Sequence, residues 1–270
     1  MSSNFWRDQN RAAWDERVRR NDWYIDTAKD EDFLHPLKVA DPVGWLGNVV
    51  NRQILCLAAG GGRHGPLLAA AGANVTVVDL SPQMLELDRK VAADRGLSLT
   101  TVEASMDDLS SLKTAQFDAV IQPVSTCYVP DVRRVYAEIA RVLDEGGVYV
   151  SQHKQPISLQ ASAGPVASQQ LFVLKEPYQQ TGALPAERDG CMHRESGTLE
   201  HLHRLGDLLG GLCRSGFVIE DVTEPDHSRP DAKPGTFAHR CRYVPPYIAI
   251  KARRTAEAHA SNSTPEIILA

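Results

Sequence analysis

No stretch of this sequence comes near the roughly 20 consecutive apolar residues that a membrane-spanning helix needs. The opening MSSNFWRDQN places charges where an export signal would need its apolar segment. Neither insertion nor export is signalled, and a cytoplasmic setting is expected. Cysteine is sparse: Cys56, Cys127, Cys191, Cys213 and Cys241 are odd in number, widely scattered and without a Cys-x-x-Cys pair, which argues against a disulfide framework, a zinc ribbon or a redox pair. An excess of positive charge is missing as well. With 29 Lys and Arg against 34 Asp and Glu, a net charge of -5, the chain has no long-range attraction for phosphate. No nucleic-acid partner is therefore expected, and small molecules become the default ligands. Internal repeats are absent too. What remains is an ordinary globular composition, 43% hydrophobic and 23% charged over 270 residues, enough for one core with an elaboration.

Periodicity divides the chain. Asn4 to Asn21 is helix-like, with Phe5, Trp6, Ala12, Ala13, Trp14 and Val18 among arginines and acids, and residues 1–50 read as an N-terminal helical cap. Ile54 to Ala58 is a short apolar run followed by a glycine loop, and Arg63 to Ala71 is a helix closed by Gly72. Asn74 to Asp79 is rich in β-branched residues. Ser81-Pro82 then supplies an N-cap and a favoured first helical residue for a helix through Asp94. Leu97 to Val102 and Phe117 to Ile121 are further strands. Val132, Val135, Tyr136, Ile139 and Leu143 recur at helical spacing, and Gly146-Gly147 leads into a fifth strand, Val148 to Ser151. This alternation predicts an α/β fold with a parallel sheet covered on both faces through right-handed crossovers. Residues 152–197 break into Pro, Gly, Ser and Gln around one strand-like run, Leu171 to Lys175, and read as an insertion over the active face. Thr198 to His203 looks extended, Leu205 to Arg214 helical, and Phe217 to Val222 and Tyr247 to Lys251 form two closing strands. One domain over residues 1–252 results, with residues 253–270 a polar, frayed tail.

The loop Ala58-Ala59-Gly60-Gly61-Gly62-Arg63-His64-Gly65 lies between a strand and a helix, where glycine permits close backbone approach and the helix start offers unpaired N–H groups. A nucleotide-like ligand is implied. Gly60, Gly62 and Gly65 match G-x-G-x-x-G, and Asp79 ends the second strand at the distance of a ribose-binding acid, where a carboxylate can accept two hydrogen bonds from a diol. Taken alone, the loop suits S-adenosylmethionine (SAM) and NAD equally.

Four segments taken together are more specific. Ile54 to Gly62, Val75 to Ser81, Ser105-Met106-Asp107-Asp108-Leu109 and Phe117 to Pro123 resemble, in order and spacing, the first, ribose, adenine and fourth-strand motifs of class I SAM-dependent methyltransferases. Arg141 to Gly147 is similar to the family's lead-in to its fifth strand, and Gly216-Phe217 to its C-terminal hairpin, so the likeness covers Asn10 to Arg253. It is nearest an uncharacterised bacterial subgroup whose first motif reads L-C-L-A-x-G-G-G and whose late helix carries Gly-Gly, as at Gly210-Gly211. The resemblance implies a Rossmann-like, seven-stranded, mostly parallel sheet with helices on both faces and an antiparallel C-terminal strand. It implies methyl transfer from SAM to a small-molecule acceptor, with S-adenosylhomocysteine as product. Residue by residue, it assigns Ala58, Ala59, Gly60, Gly61 and Gly62 to the methionyl part, Asp79 to the ribose, and Leu80 and Met84 to the adenine face. Ser105, Met106 and Asp107 go to the adenine edge, and Gln122, Pro123 and Val124 to the methionyl side. Three positions depart from the family pattern: Cys56 replaces an acid, Ala58 a glycine, and Ser105 the adenine-motif acid, for which Asp107 is the substitute. A non-catalytic SAM-binding protein and an NAD-dependent oxidoreductase are the alternatives, the latter disfavoured by the closing strand pair.

Methyl transfer from a sulfonium is an in-line displacement with an activated leaving group, so orientation and exclusion of water can supply most of the catalysis. For an acceptor that arrives protonated, the candidate bases are His203 before the late helix, which is preferred, His153 after the fifth strand, and Tyr128 after the fourth. In the cap, Trp14, Trp23 and Tyr24 either close over the methionyl end and the acceptor or anchor the cap. His201 and His203 alternate along an extended run and cannot chelate together, and His193 and Cys191 are irregularly spaced, so no metal is expected.

Overall fold

A computed structural model describes residues 5–22, 25–165, 171–186 and 193–255. Helices α1 (Phe5–Arg20) and α2 (Pro36–Ala40) precede β1 (Gln53–Leu57), which is wholly buried from Ile54 onward. That is the pattern of a central strand covered on both faces. α3 (His64–Ala70) leads to β2 (Asn74–Asp79), and α4 (Pro82–Asp94) to β3 (Thr100–Glu103). After β3 the chain crosses to the far side of β1, adding β4 (Phe117–Gln122), α5 (Val132–Val142) and β5 (Leu143–Lys154). α6 (Pro156–Gln160), α7 (Leu205–Arg214), β6 (Phe217–Thr223) and β7 (Tyr247–Arg254) complete the order used here.

The seven strands run β3-β2-β1-β4-β5-β7-β6, all neighbours parallel except for β7, which is antiparallel to both β5 and β6. Ile54 sits opposite Val75 on one side and Ala119 on the other. The chain therefore switches direction of growth between β1 and β4, where open α/β sheets leave a crevice at their carboxyl ends. One face packs on α5, whose buried Val132, Val135, Tyr136 and Ile139 recur at helical spacing against Val120, Tyr149 and Phe217. The other face packs Leu67, Leu68 and Leu85 on Ile54, Val75 and Val77. Each such side chain contributes about 1.5–3 kcal/mol by leaving water. Among the described residues no helix is long and apolar enough to cross a membrane.

Several boundaries differ from the sequence expectation for local reasons. Leu97 is not strand: its N–H returns to the Ala92 carbonyl after Gly96 at φ 64°, closing α4, and β3 starts only at Thr100. β7 runs on to Arg254, paired with β5 as far as Arg253 and with β6 at Arg254, so residues 253 and 254, expected in the tail, are strand; residues 256–270 of that expected tail lie outside the described residues. β5 runs on to Lys154, so residues 152–154, expected to belong to the insertion, are strand. Leu171–Lys175 and Thr198–His203 form no strands, because they meet their neighbours at single pairs, Ala161 with Leu174 and Ala183 with His201.

The cap is held mainly by polar ties. In α1 the only buried residues are Asn10 and Arg17. The Asn10 amide donates to the Tyr128 carbonyl (3.0 Å) and accepts from the Leu199 N–H (2.7 Å), while Arg17 donates to the Ser196 carbonyl. Arg7 forks onto Asp107 with two bonds of 2.9 Å. The 193–203 segment is fixed in turn by a buried ionic cluster. Lys154 at the end of β5 donates to Glu195 and Glu200, and Arg194 also pairs with Glu200. Burial works against the Lys154 charge, yet Glu195 and Glu200 outweigh it and hold its pKa well above the ordinary lysine value.

Removing one member of such a cluster leaves uncompensated buried charge, which costs about 3–5 kcal/mol. Lys154→Met should lower stability by that amount in urea unfolding, whereas Arg89→Met, at an exposed pair with Glu86, should cost under about 1 kcal/mol. Equal effects would show that the cluster is an ordinary surface-like pair.

Candidate functional site

A cleft of about 250 Å³ opens at the carboxyl ends of β1, β2 and β4. Its floor is the loop from Ala58 to Gly62. Gly61 takes φ 123°, open only to glycine. A Cβ on Gly60 would lie 2.8 Å from Met84 Cβ and 2.9 Å from Asp79 Oδ2, so a side chain is excluded there. Ala58 adopts φ 47°, a left-handed conformation that costs an alanine about 1 kcal/mol. The departure from glycine at this position is thus accommodated at the expense of local strain.

Two carboxylates hold the loop in place. Asp79, at the end of β2, accepts from the Gly60 N–H at 2.9 Å and from the Ser81 N–H at 2.9 Å. Burial nevertheless raises its pKa to about 6. Asp88 accepts from the Gly61 N–H at 2.8 Å, and burial raises it to about 7 against the pull of the Gly62 and Gly61 N–H groups. The sequence reading missed Asp88. The available signal was an acid on the buried stripe Met84, Leu85, Asp88 and Ala92 of α4. It stands close enough to Cys56 to push that thiol further up, beyond the rise caused by burial. A carboxylate on α4 thereby serves the neighbourhood in which the family carries its first-motif acid on β1. These contacts also weaken the dinucleotide alternative: the Gly60 and Gly61 N–H groups that would meet a pyrophosphate are already taken, and by anions.

Most of the expected residues do line the cleft: Ala58, Ala59, Gly60, Gly61, Asp79, Leu80, Met84, Ser105, Met106, Pro123 and Val124. The Met106 N–H makes no hydrogen bond among the described residues. Three do not line it. Gly62 turns its carbonyl to the Ala28 N–H and packs beneath the loop against Leu87. Asp107 is buried under Arg7 and bonded to Ser105, so its carboxylate serves the cap and is not offered to an adenine edge. Gln122 lies behind the wall, donating to Ser125 Oγ (2.9 Å) and Met106 Sδ (3.3 Å) and accepting from the Tyr149 hydroxyl (2.7 Å). Trp6, Asn10, Ile25, Asp26, Arg63, His64 and Ser125 complete the lining and had not been assigned to it from the sequence. The approach of Trp6, Asn10, Ile25 and Asp26 depends on how the cap docks, whereas Arg63, His64 and Ser125 follow β1 and β4 directly.

None of the three expected bases is placed for that task. His203 directs Nε2 at the carbonyls of Thr126 and Val129, each 3.0 Å away, and does not reach the cleft. His153 is fully buried between Thr126 Oγ1 and Ser151 Oγ, both at 2.8 Å, and burial lowers its pKa to about 3. Tyr128 does reach the cleft, but its hydroxyl donates to Glu195 at 2.7 Å, and burial beside that carboxylate pushes its pKa well above the ordinary phenol value. It is a wall. Trp14 packs edge-on against it, centroids 5.8 Å apart, as part of the lining. Trp23, Tyr24 and Cys191 lie outside the described residues. Among the described residues no three metal-ligating side chains cluster.

A family model described as a methyltransferase domain matches residues 55–151, the span from β1 to β5. A Bacillus subtilis (strain 168) protein named as an uncharacterized methyltransferase, YbaJ, is 34% identical over 228 residues, covering 80% of this chain and 89% of that one. A SAM-dependent methyltransferase structure from Mesorhizobium loti superposes with a TM-score of 0.64 at 25% identity, covering 82% of this chain and 100% of that one. Geranyl diphosphate C-methyltransferase from Streptomyces coelicolor A3(2) shares the fold, with a TM-score of 0.64 at 14% identity over 94% of this chain and 100% of that one. Fold, motif order and sequence relationship agree: the chain belongs to the class I SAM-dependent methyltransferases.

Proposed function

We propose that SAM lies along the cleft from the glycine loop to Met106 and that the enzyme methylates a small molecule. The observation carrying this reading is Asp79. Its two oxygens each accept one backbone N–H, which leaves further lone pairs for a ribose diol at the mouth of a cleft that no side chain on Gly60 blocks. Met106 offers a free N–H to the adenine edge, with Leu80 and Met84 on its face and Trp6 opposite as a cover from the cap. Pro123, Val124 and the backbone of Ala58 to Gly61 enclose the methionyl end.

Bound there, SAM supplies a methyl group on a sulfonium, whose sulfur leaves as a neutral thioether. The protein's share is orientation and exclusion of water. Trp14, held on Tyr128 and thereby on the Glu195 cluster, closes one side, so cap and insertion together shield the reacting centre. The net charge of -5 and a cleft walled by α1 favour a small acceptor over a nucleic acid.

S-adenosylhomocysteine and SAM should bind saturably by calorimetry, and NAD should not. Saturable NAD binding with neither adenosyl compound retained would overturn the assignment.

Affinity should also depend on pH with a definite sign. Asp79 has a raised folded-state pKa, so the unliganded protein holds its proton more firmly than the unfolded chain does. On this account stability falls as pH rises from about 4 to about 6. A ribose diol donates charge-assisted bonds to the ionised carboxylate and weaker ones to the protonated acid. SAM affinity should accordingly fall below pH 6, by at most about ten-fold per unit, and level off above it. Asp79→Asn should weaken binding by about 2–3 kcal/mol and abolish this limb. Because Asp79 also holds Gly60, thermal melting of the variant must be checked alongside. A limb that survives in Asp79→Asn would move the titration to Asp88.

A further inference from the structure

We propose that the methyl acceptor occupies a second pocket, adjoining the cofactor cleft across His64 and Pro123, and that it is a compact apolar molecule presenting one hydroxyl-type donor to the His64 ring. This rests on the SAM reading of the adjoining cleft.

The pocket encloses about 330 Å³ between the 39–45 segment and the sheet at the carboxyl ends of β4 and β5 and the amino end of β7. Val39, Val43 and Trp45 form one wall, and Ile121, Val150 and Ala249 the other. His64 and Pro123 belong to the lining of both this pocket and the cleft, so a molecule here reaches toward the cleft at the end of β4.

The lining chemistry restricts the occupant. It contains no Lys or Arg, so no anionic head group has a partner. Its one acid, Asp41, is buried, 7% exposed, and accepts the N–H groups of Trp45 (3.0 Å) and Leu46 (2.6 Å) of its own segment. Gln122 is committed to Ser125, Met106 and Tyr149, and Ser151 to His153. The remaining polar side chains of the lining are His64, Gln152, Thr223 and His227; His227 is exposed, and His64 alone of the four also lines the cofactor cleft. Among the described residues neither of its ring nitrogens makes a hydrogen bond, and burial together with the neighbouring Arg63 lowers its pKa to about 4, which keeps the ring neutral and one lone pair available. An apolar body with a donor toward His64 thus suits the pocket, whereas a phosphorylated one finds no cationic partner in it.

The test uses the intact protein labelled with 5-fluorotryptophan and read by fluorine NMR, with S-adenosylhomocysteine, 2-naphthol and naphthalene as probes. S-adenosylhomocysteine should shift Trp6 and Trp14, and 2-naphthol should shift Trp45. Val43→Trp, which fills the pocket from an exposed position (55% accessible), should weaken 2-naphthol at least ten-fold and leave S-adenosylhomocysteine unchanged. Naphthalene should bind at least five-fold more weakly than 2-naphthol, and His64→Leu should bring the two to parity. The pocket assignment is overturned if 2-naphthol leaves Trp45 unmoved or binds Val43→Trp with unaltered affinity. The role of His64 is overturned if the preference for the hydroxyl persists in His64→Leu. Failure of S-adenosylhomocysteine to shift Trp6 and Trp14 would instead count against the cofactor reading.

Discussion

Two carboxylates aimed at one glycine loop, Asp88 buried and Asp79 half-buried at the cleft, are the constraint on which the site depends. Asp79 from β2 and Asp88 from α4 accept the N–H groups of Gly60 and Gly61, fixing a backbone that would otherwise be free to move, since glycines resist it least. Both pay for this in desolvation, visible as pKa values raised to about 6 and about 7. The loop is therefore pre-shaped before any ligand arrives. The same arrangement sets chemical preference: acids at the floor of the site disfavour a diphosphate.

The second dependency runs through Tyr128. Its carbonyl is held by Asn10 of α1, its hydroxyl by Glu195 of the insertion, and its ring meets Trp14. Lys154 anchors Glu195 from the last residue of β5. Cap, insertion and sheet thereby converge on one residue of the cleft wall through polar contacts that have little tolerance for displacement, because each buried group left unpaired costs about 1–3 kcal/mol. The histidines that a sequence reading favours as bases are spent in the same region: His203 and His153 both tie the 126–129 segment to its surroundings.

How much could be read beforehand differs by element. The strands β1, β2 and β4, the helix opening at Ser81-Pro82 and the G-x-G-x-x-G loop were legible because they follow from local rules: apolar runs, an N-cap whose hydroxyl accepts the Met84 N–H, and glycines where a Cβ would collide. Asp79 was legible for the same reason, lying at a strand end in fixed register with the loop. Asp107 was misread because its partner, Arg7, is 100 residues away, and Gln122 because a residue at a strand end faces one side or the other according to a pleat that only the neighbouring strands decide.

Sequence by itself determined the alternation of strands and helices, the order of the motifs and hence the family, since these depend on side-chain period, turn chemistry and spacing along a single segment. Tertiary structure alone decided which groups share a cavity. The docking of α1 made Trp6 and Trp14 part of the cleft, the packing of α4 brought Asp88 to the Gly61 N–H, and the packing of the 39–45 segment against β4 and β5 left His64 between two pockets. Such proximities arise from contacts between distant segments, whose free energy depends on the geometry of both partners at once, and no local pattern in either one records it.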